Sequence, residues 1–267
     1  MLAFKPGIPL SPHVDTLWVT DGPLRTQATF AYYPVPTSDV LIVLDDHDCT
    51  LFHCSAAMGT GTVVASAGKS FFALRLRPGM GADLFGTSET RITDRNTELD
   101  TLFGMSADTW GQMLHEAPSA REQAKLLFRQ LRKQNLDRVK PPRAQQAARM
   151  IEQCNGAVPI MNIAQDLALS PRQLKRQLKE FTGLTPKALA RSVRLQSAFN
   201  RLHARCFPNL AHLAQDLGYT DQAHFIRDFK ALTGATPGQF LRATRMAPHV
   251  TDLSATQVDT SRPIYHF

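Results

Sequence analysis

Cysteine is scarce in this chain. Only Cys49, Cys54, Cys154 and Cys206 occur among 267 residues, which excludes a disulfide-dense scaffold and fits a reducing cytoplasm. Long hydrophobic runs are missing as well. Val40-Leu-Ile-Val-Leu44 is the longest near the N-terminus, far too short to cross a bilayer, so no membrane partner is expected. Lys5, Pro6 and Pro9 interrupt any apolar start, and no secretory leader is expected. Nor is there a Ser/His/Asp set, a phosphate-cradling glycine loop or a catalytic spacing of paired carboxylates. The sequence therefore carries no enzyme signal and implies no cofactor. Acidic residues, finally, are few in one region: residues 140–246 hold 16 Lys/Arg against 6 Asp/Glu, whereas 1–139 hold 13 against 15. The formal charge of +7 sits on that segment, and a basic domain of this kind attracts a polyanion.

The same basic segment contains one pattern twice. The first copy is Ile163-Ala-Gln-Asp-Leu167, Leu174-Lys-Arg-Gln-Leu178-Lys179, Phe181-Thr-Gly183 and Thr185-Pro186. The second is Leu213-Ala-Gln-Asp-Leu217, Phe225-Ile-Arg-Asp-Phe229-Lys230, Leu232-Thr-Gly234 and Thr236-Pro237. The offset is 50 residues at the start and 51 from the middle on, so a helical unit is duplicated in tandem. Each copy reads as short helix, tight turn and longer basic helix, an arrangement that offers its second helix to a major groove. A helix over 143–154 precedes the first copy, and Asn162 is read as the cap of the next. Ser170-Pro171 and Thr185-Pro186 place a capping hydroxyl before proline at the first helical position. Asp221 is the expected cap of the second basic helix, and Gly183 and Gly234 are read as left-handed ends.

Facing Leu174, Leu178 and Phe181 inward leaves Arg172, Lys175, Arg176 and Lys179 outward on the first basic helix. In the second, with Phe225, Phe229 and Leu232 inward, Gln222, His224, Ile226 and Arg227 are the candidates for groove contact. Arginine and lysine reach guanine edges or phosphates, glutamine pairs with adenine, and isoleucine packs on a thymine methyl. A helix over 185–205 would span about 30 Å, close to one duplex turn of about 34 Å. Its Arg191, Arg194, Arg201 and Arg205 read as mostly solvated or phosphate-facing, with a structural ion pair an open alternative for Arg194.

Residues 1–78 read as β-rich, with short runs at 17–19, 30–33, 40–44, 49–54, 61–65 and 70–76 punctuated by Gly and Pro, a pattern of a small sandwich or half-barrel. Helical stretches follow at 81–85, 94–102, 108–114 and 120–131. Lys140-Pro-Pro142 marks a linker. The expected class is α+β, with domains at 1–139 and 140–246 and a largely disordered tail at 247–267.

Residues 140–246 closely resemble the AraC/XylS-type DNA-binding domain. The matching stretches are Ile163 to Leu167, Ser170-Pro-Arg-Gln-Leu174, Phe181-Thr-Gly183 with Thr185-Pro186, and above all Leu217-Gly-Tyr-Thr-Asp-Gln-Ala-His-Phe225 with Arg227, Phe229-Lys230 and Thr233-Gly-Ala-Thr-Pro237. The resemblance implies seven helices, two helix-turn-helix units and contact with consecutive major grooves. It places base-facing positions near Arg172, Lys175 and Arg176, and near Gln222, Ala223, Ile226 and Arg227. Leu169 and Ala223 are small departures. Asp39 with the strand 40–44, and Leu74-Arg-Leu-Arg-Pro-Gly79 followed by Ala82-Asp-Leu-Phe-Gly86, resemble the sensor-like domain that precedes this DNA-binding domain in some regulators. That implies effector sensing or dimerisation, without naming a ligand. Duplex DNA is thus the expected partner, with a small-molecule effector, a second copy of the chain and RNA polymerase as open ones.

Three other features are weighed against this. Asp45-Asp46-His47-Asp48 with Cys49, His53 and Cys54 carries ligand chemistry, but the spacing lacks zinc-type pairs and reads as a polar hairpin turn, so no metal is assigned. Cys49 and Cys54 as a redox pair would need a tight hairpin between them. Trp18, Phe30, Tyr32, Tyr33, Phe71 and Phe72 are core or pocket aromatics, and Arg75 and Arg77 alternate on one strand face, where surface or interdomain ion pairing is favoured over contact with an anionic effector. An alkylation-repair regulator is set aside because neither a Pro-Cys-His-Arg motif nor a four-cysteine metal set occurs. A non-enzymatic adaptor for RNA or acidic protein stays as the alternative.

Overall fold

The computed structural model describes residues 2–7, 10–45, 48–55, 61–81, 101–102, 104–133, 143–205, 207–246, 250–252 and 264–266. The strands are β1 (Leu2–Lys5), β2 (Val14–Val19), β3 (Ala28–Tyr32), β4 (Ser38–Leu44), β5 (Cys49–Ser55), β6 (Gly61–Ala65) and β7 (Ser70–Leu76), followed by β8 (Thr101–Leu102) and β9 (Met105–Ser106). The six expected runs in 17–76 are all strands, with ends shifted by up to three residues. The short β1 gives no signal of its own and is recruited by pairing with β2. The order β1-β2-β7-β4-β5 forms an antiparallel sheet, while β3 pairs with β6 in a second one.

Period-two alternation gives the larger sheet two different faces. Leu17, Val40, Ile42, Phe72 and Leu74 point to one face and pack against two helices, α1 (Ala107–His115) and α2 (Ala120–Lys133), through Trp110, Leu114, Leu127, Phe128 and Leu131. Their neighbours Trp18, Asp39, Leu41, Phe71, Ala73 and Arg75 point the other way and are also buried. Asp39 stands directly opposite Arg75 in the β4–β7 register. Arg75 Nε and Nη2 donate to the two Asp39 carboxylate oxygens at 2.9 and 2.7 Å, and the guanidinium lies 4.9 Å from the Trp18 ring centroid. Arg75 is therefore a core ion pair, not a surface cation.

Two described stretches of the tail are strands: Val250–Asp252 (β10) runs parallel to β3, and Ile264–His266 (β11) runs parallel to β1. Edge strands of three residues are held by the neighbour's backbone and leave no period in their own sequence. The helix expected over 94–102 fails at its end, where β8 pairs with β9 across Gly104 at φ +72°. The rest of 82–100 and the linker at 140–142 lie outside the described residues.

From Arg143 onward the described chain is helical up to Met246: α3 (Arg143–Gln153), α4 (Ile160–Asp166), α5 (Pro171–Thr182), α6 (Pro186–Ala204), α7 (Leu210–Asp216), α8 (Gln222–Thr233) and α9 (Pro237–Met246). These are the seven helices expected. One cap is misplaced: α4 begins after Pro159, not Asn162. Two cores result, and α6 divides between them. Leu189, Ala190 and Val193 pack with Ile151, Ile163, Leu174 and Leu178. Leu195, Ala198, Phe199 and Leu202 pack with Leu213, Phe225, Phe229 and Phe240.

Candidate nucleic-acid interface

The two units are built by the same local devices. In the turn of each, a residue at positive φ reverses the chain, Ala168 at +50° and Gly218 at +76°. The next N–H returns to the short helix: Leu169 N donates to Ala164 O, and Tyr219 N to Ala214 O. Each basic helix is capped by a side chain. Ser170 and Gln173 form a reciprocal capping box, and Asp221 accepts from His224 N at 2.7 Å. Each ends at a left-handed glycine, Gly183 and Gly234. Even the threonine before it is used identically. Thr182 Oγ1 donates to Leu178 O and receives Leu184 N, while Thr233 Oγ1 donates to Phe229 O and receives Ala235 N. The turn conformation, the returning N–H and the glycine end are thus shared by α4–α5 and α7–α8.

The faces left outside are those expected. On α5, Leu174 and Leu178 are buried while Arg172, Lys175, Arg176 and Lys179 are exposed. On α8, Phe225 and Phe229 are buried; Gln222, Ala223, His224 and Arg227 are exposed, and Ile226 is half-buried. Among the described residues, none of Arg172, Lys175, Arg176, Lys179 and Arg227 is drawn into an ion pair, so their charge is free for an external anion. Phe181 departs from its expected place. It is only half-buried in its own unit and reaches the N-terminal domain, where a Cβ on Gly79 would overlap its ring.

A network that sequence reasoning missed fixes α8 to α6. Arg191 Nε donates to Asp228 Oδ1 at 2.5 Å, and Tyr219 Oη donates to Asp228 Oδ2 at 2.9 Å. Burial, then the Asp228 charge, pushes the Tyr219 hydroxyl up in pKa, so it stays a donor. Arg194 stacks over the Tyr219 ring at 5.2 Å, and His224 meets the same ring edge-on. Arg201 pairs with Asp216. Arg191 and Arg201 are thus structural, and Arg194 is held by an aromatic face where an ion pair was the alternative. Tyr219 and Asp228 lie 37 or fewer residues from their partners on α6, with no shared period to announce them.

The other features settle differently. Asp45 and Asp48 close a hairpin turn, with Asp48 N donating to Asp45 Oδ1 at 2.7 Å, and among the described residues no three acid, His or Cys side chains gather as for a metal. Asp46 and His47 lie outside those residues. Cys49 and Cys54 share one strand, five positions apart, so the redox pair is excluded by about 17 Å of extended backbone. Burial pushes the Cys49 thiol up to about 12. Trp18, Phe71 and Phe72 are core, whereas Tyr33 packs on the C-terminal domain at 4.8 Å from the Phe199 centroid. Nothing is described of the Phe30 and Tyr32 side chains. No described helix is long and apolar enough to cross a membrane.

With this geometry in place, residues 163–243 match a family model described as a helix-turn-helix domain. The chain is 39% identical over 75 residues to the HTH-type transcriptional activator RhaS of Escherichia fergusonii, covering 28% of this chain and 27% of that protein. It is 31% identical over 81 residues to the arabinose operon regulatory protein of Escherichia coli, covering 30% and 27%. Residues 163–243 are thus a helix-turn-helix domain similar to part of these regulators. The chain spans about a quarter of the length of these curated relatives. Among solved structures, the C-terminal domain of AraT from Geobacillus stearothermophilus is 28% identical, with 43% of this chain and 95% of that chain covered and a TM-score of 0.37. ToxT from Vibrio cholerae is 12% identical, with 85% and 98% covered and a TM-score of 0.47.

The helix-turn-helix domain meets the N-terminal domain at Arg77, among other contacts. Its Nε donates to Ser11 O at 2.7 Å, and its Nη atoms lie 3.9 Å from both Asp15 and Glu152 of α3. Arg77 thus serves interdomain pairing. A cleft of about 210 Å³ lies alongside, with Thr37, Asn155 and Asn200 in its wall. Burial raises Glu152 from 4.5 to about 7, against the opposing pull of Arg77. The folded chain therefore holds this proton between pH 4.5 and about 7 while the unfolded chain releases it, so stability falls as pH rises through that window. Glu152→Gln should remove this slope. Its melting temperature relative to wild type should rise from pH 5 to pH 8, with a gain on the order of 2 kcal/mol. A pH-independent difference in thermal melts would place Glu152 in water.

Proposed function

We propose that the chain is a sequence-specific DNA-binding transcription regulator. In this reading α5 and α8 enter consecutive major grooves of one duplex face, and α6 spaces them. The observation that carries it is the duplicated pair of helices, each capped by a side chain at its start and ended by a left-handed glycine, whose outward cations are bound to nothing else in the described chain. The 19 residues of α6 amount to about 28 Å at about 1.5 Å per residue, which suits grooves one turn apart. Unit one supplies the larger electrostatic share through Arg172, Lys175, Arg176 and Lys179. Unit two reads through Gln222, Ala223, His224, Ile226 and Arg227. The N-terminal domain modulates the output by binding a small-molecule effector, by pairing with a second copy, or both; an effector must favour one arrangement by differential affinity. The action is on transcription in the cytoplasm, with RNA polymerase as the downstream partner.

Arg176→Ala and Arg227→Ala test the reading. Each should cost about 1–3 kcal/mol of binding to a selected duplex and relax preference at one base position. Gel-shift titrations on the selected and scrambled duplexes decide it. Equal loss on both would reassign the arginine to phosphate.

A further inference from the structure

The connection from β3 to β4 is not a free loop. Tyr33 is half-buried and Pro34, Val35, Pro36 and Thr37 are all buried, although they link a strand of the smaller sheet to a strand of the larger one. Val35 is 3% exposed and belongs to the second unit's core, with Phe199, Phe229 and Phe240. Tyr33 contacts Phe199 at 4.8 Å and Phe240 edge-on at 6.2 Å between centroids. Proline on both sides of Val35 fixes two φ angles, and Val35 N donates back to Tyr33 O at 2.7 Å. The segment is a stiff kink that inserts into the groove between α6 and α9.

A second contact reaches the first unit from the same place. β7 ends at Leu76, and Ser38 at the start of β4 pairs with Leu76. The residues that follow Leu76 therefore emerge beside those that precede Ser38. They are Arg77, which faces Glu152, Gly79, which receives the Phe181 ring from the end of α5, and Met80, whose sulfur accepts from Gln145 Nε2 on α3. The contacts to the two units thus hang from two hydrogen-bonded strands that are locked by the Asp39–Arg75 pair one residue further in.

We infer that this one end of the sheet is a two-point dock that sets the position of the two helix-turn-helix units relative to each other. Residues 33–37 hold unit two, and residues 77–80 hold unit one. A change in the β4–β7 pair alters the separation of α5 and α8, which gives the N-terminal domain a mechanical route to the reading helices. This use of the dock rests on the DNA-binding reading; the dock itself does not.

The experiment compares the full chain with Tyr33→Ala/Val35→Ala, with Val35→Ala alone as a milder variant and the exposed Val64→Ala as control. Amide hydrogen exchange without DNA should quicken about tenfold or more in 195–202 and 237–242 of the double variant, less in the single one, and not in β4 or β7. Each protein is then titrated with a duplex selected from a random pool by the wild type, and with the same duplex carrying one extra base pair between its half-sites. Wild type should lose at least about tenfold on insertion, and the dock variants about threefold or less. Unchanged exchange overturns the dock. Quickened exchange with the full insertion penalty overturns its role in spacing. Failure of the wild type to select any duplex removes the DNA reading, while the exchange result still decides the dock.

Discussion

Asp39→Ala should lower stability by about 3–5 kcal/mol, because it strands the Arg75 guanidinium inside the sheet. The side chains are 1% and 7% exposed, and the bond is two-pronged. Water cannot take the carboxylate's place without opening the sheet. The paired replacement Asp39→Leu with Arg75→Met should recover most of the loss, since a well-packed apolar pair does about as well as a buried ion pair. Urea unfolding of the three proteins checks both statements. A loss below about 1 kcal/mol for Asp39→Ala would mean that Arg75 finds solvent, contrary to its burial.

Binding of duplex DNA should weaken about a hundredfold between roughly 50 and 200 mM salt, a logarithmic slope of about −3.6 for four neutralised phosphates. The four cations are Arg172, Lys175, Lys179 and Lys230, all exposed on α5 and α8; Arg176 and Arg227 are assigned to base edges. Affinity measured across a salt series gives the slope directly. Removing Lys179 should flatten it by about one unit. A flat dependence in the wild type would take away the polyanion and with it the proposed function.

What could be read from the sequence was whatever the chain encodes locally. The caps Ser170, Thr185 and Asp221, the glycines at 183 and 234, and the buried faces of α5 and α8 follow from short-range rules, and they stand where those rules put them. The charged faces follow by subtraction. Contacts between distant segments were not legible. Asp228 meets Arg191 from 37 residues away, and Asp39 meets Arg75 from 36. Neither pair has a period to betray it. Val35 looks like any apolar residue between prolines until α6 and α9 are seen around it. The tail strands are invisible for a related reason, since an edge strand takes its geometry from a partner.

Both tryptophans, Trp18 and Trp110, belong to the N-terminal domain, and the duplicated domain has none. Selective indole excitation of the intact protein therefore watches one half alone. Trp18 lies against the Arg75 guanidinium, so its emission should register any loosening of the strand pair that carries both docking segments. A colour change on adding a small molecule, or on adding duplex, would report traffic between the halves without a label being attached.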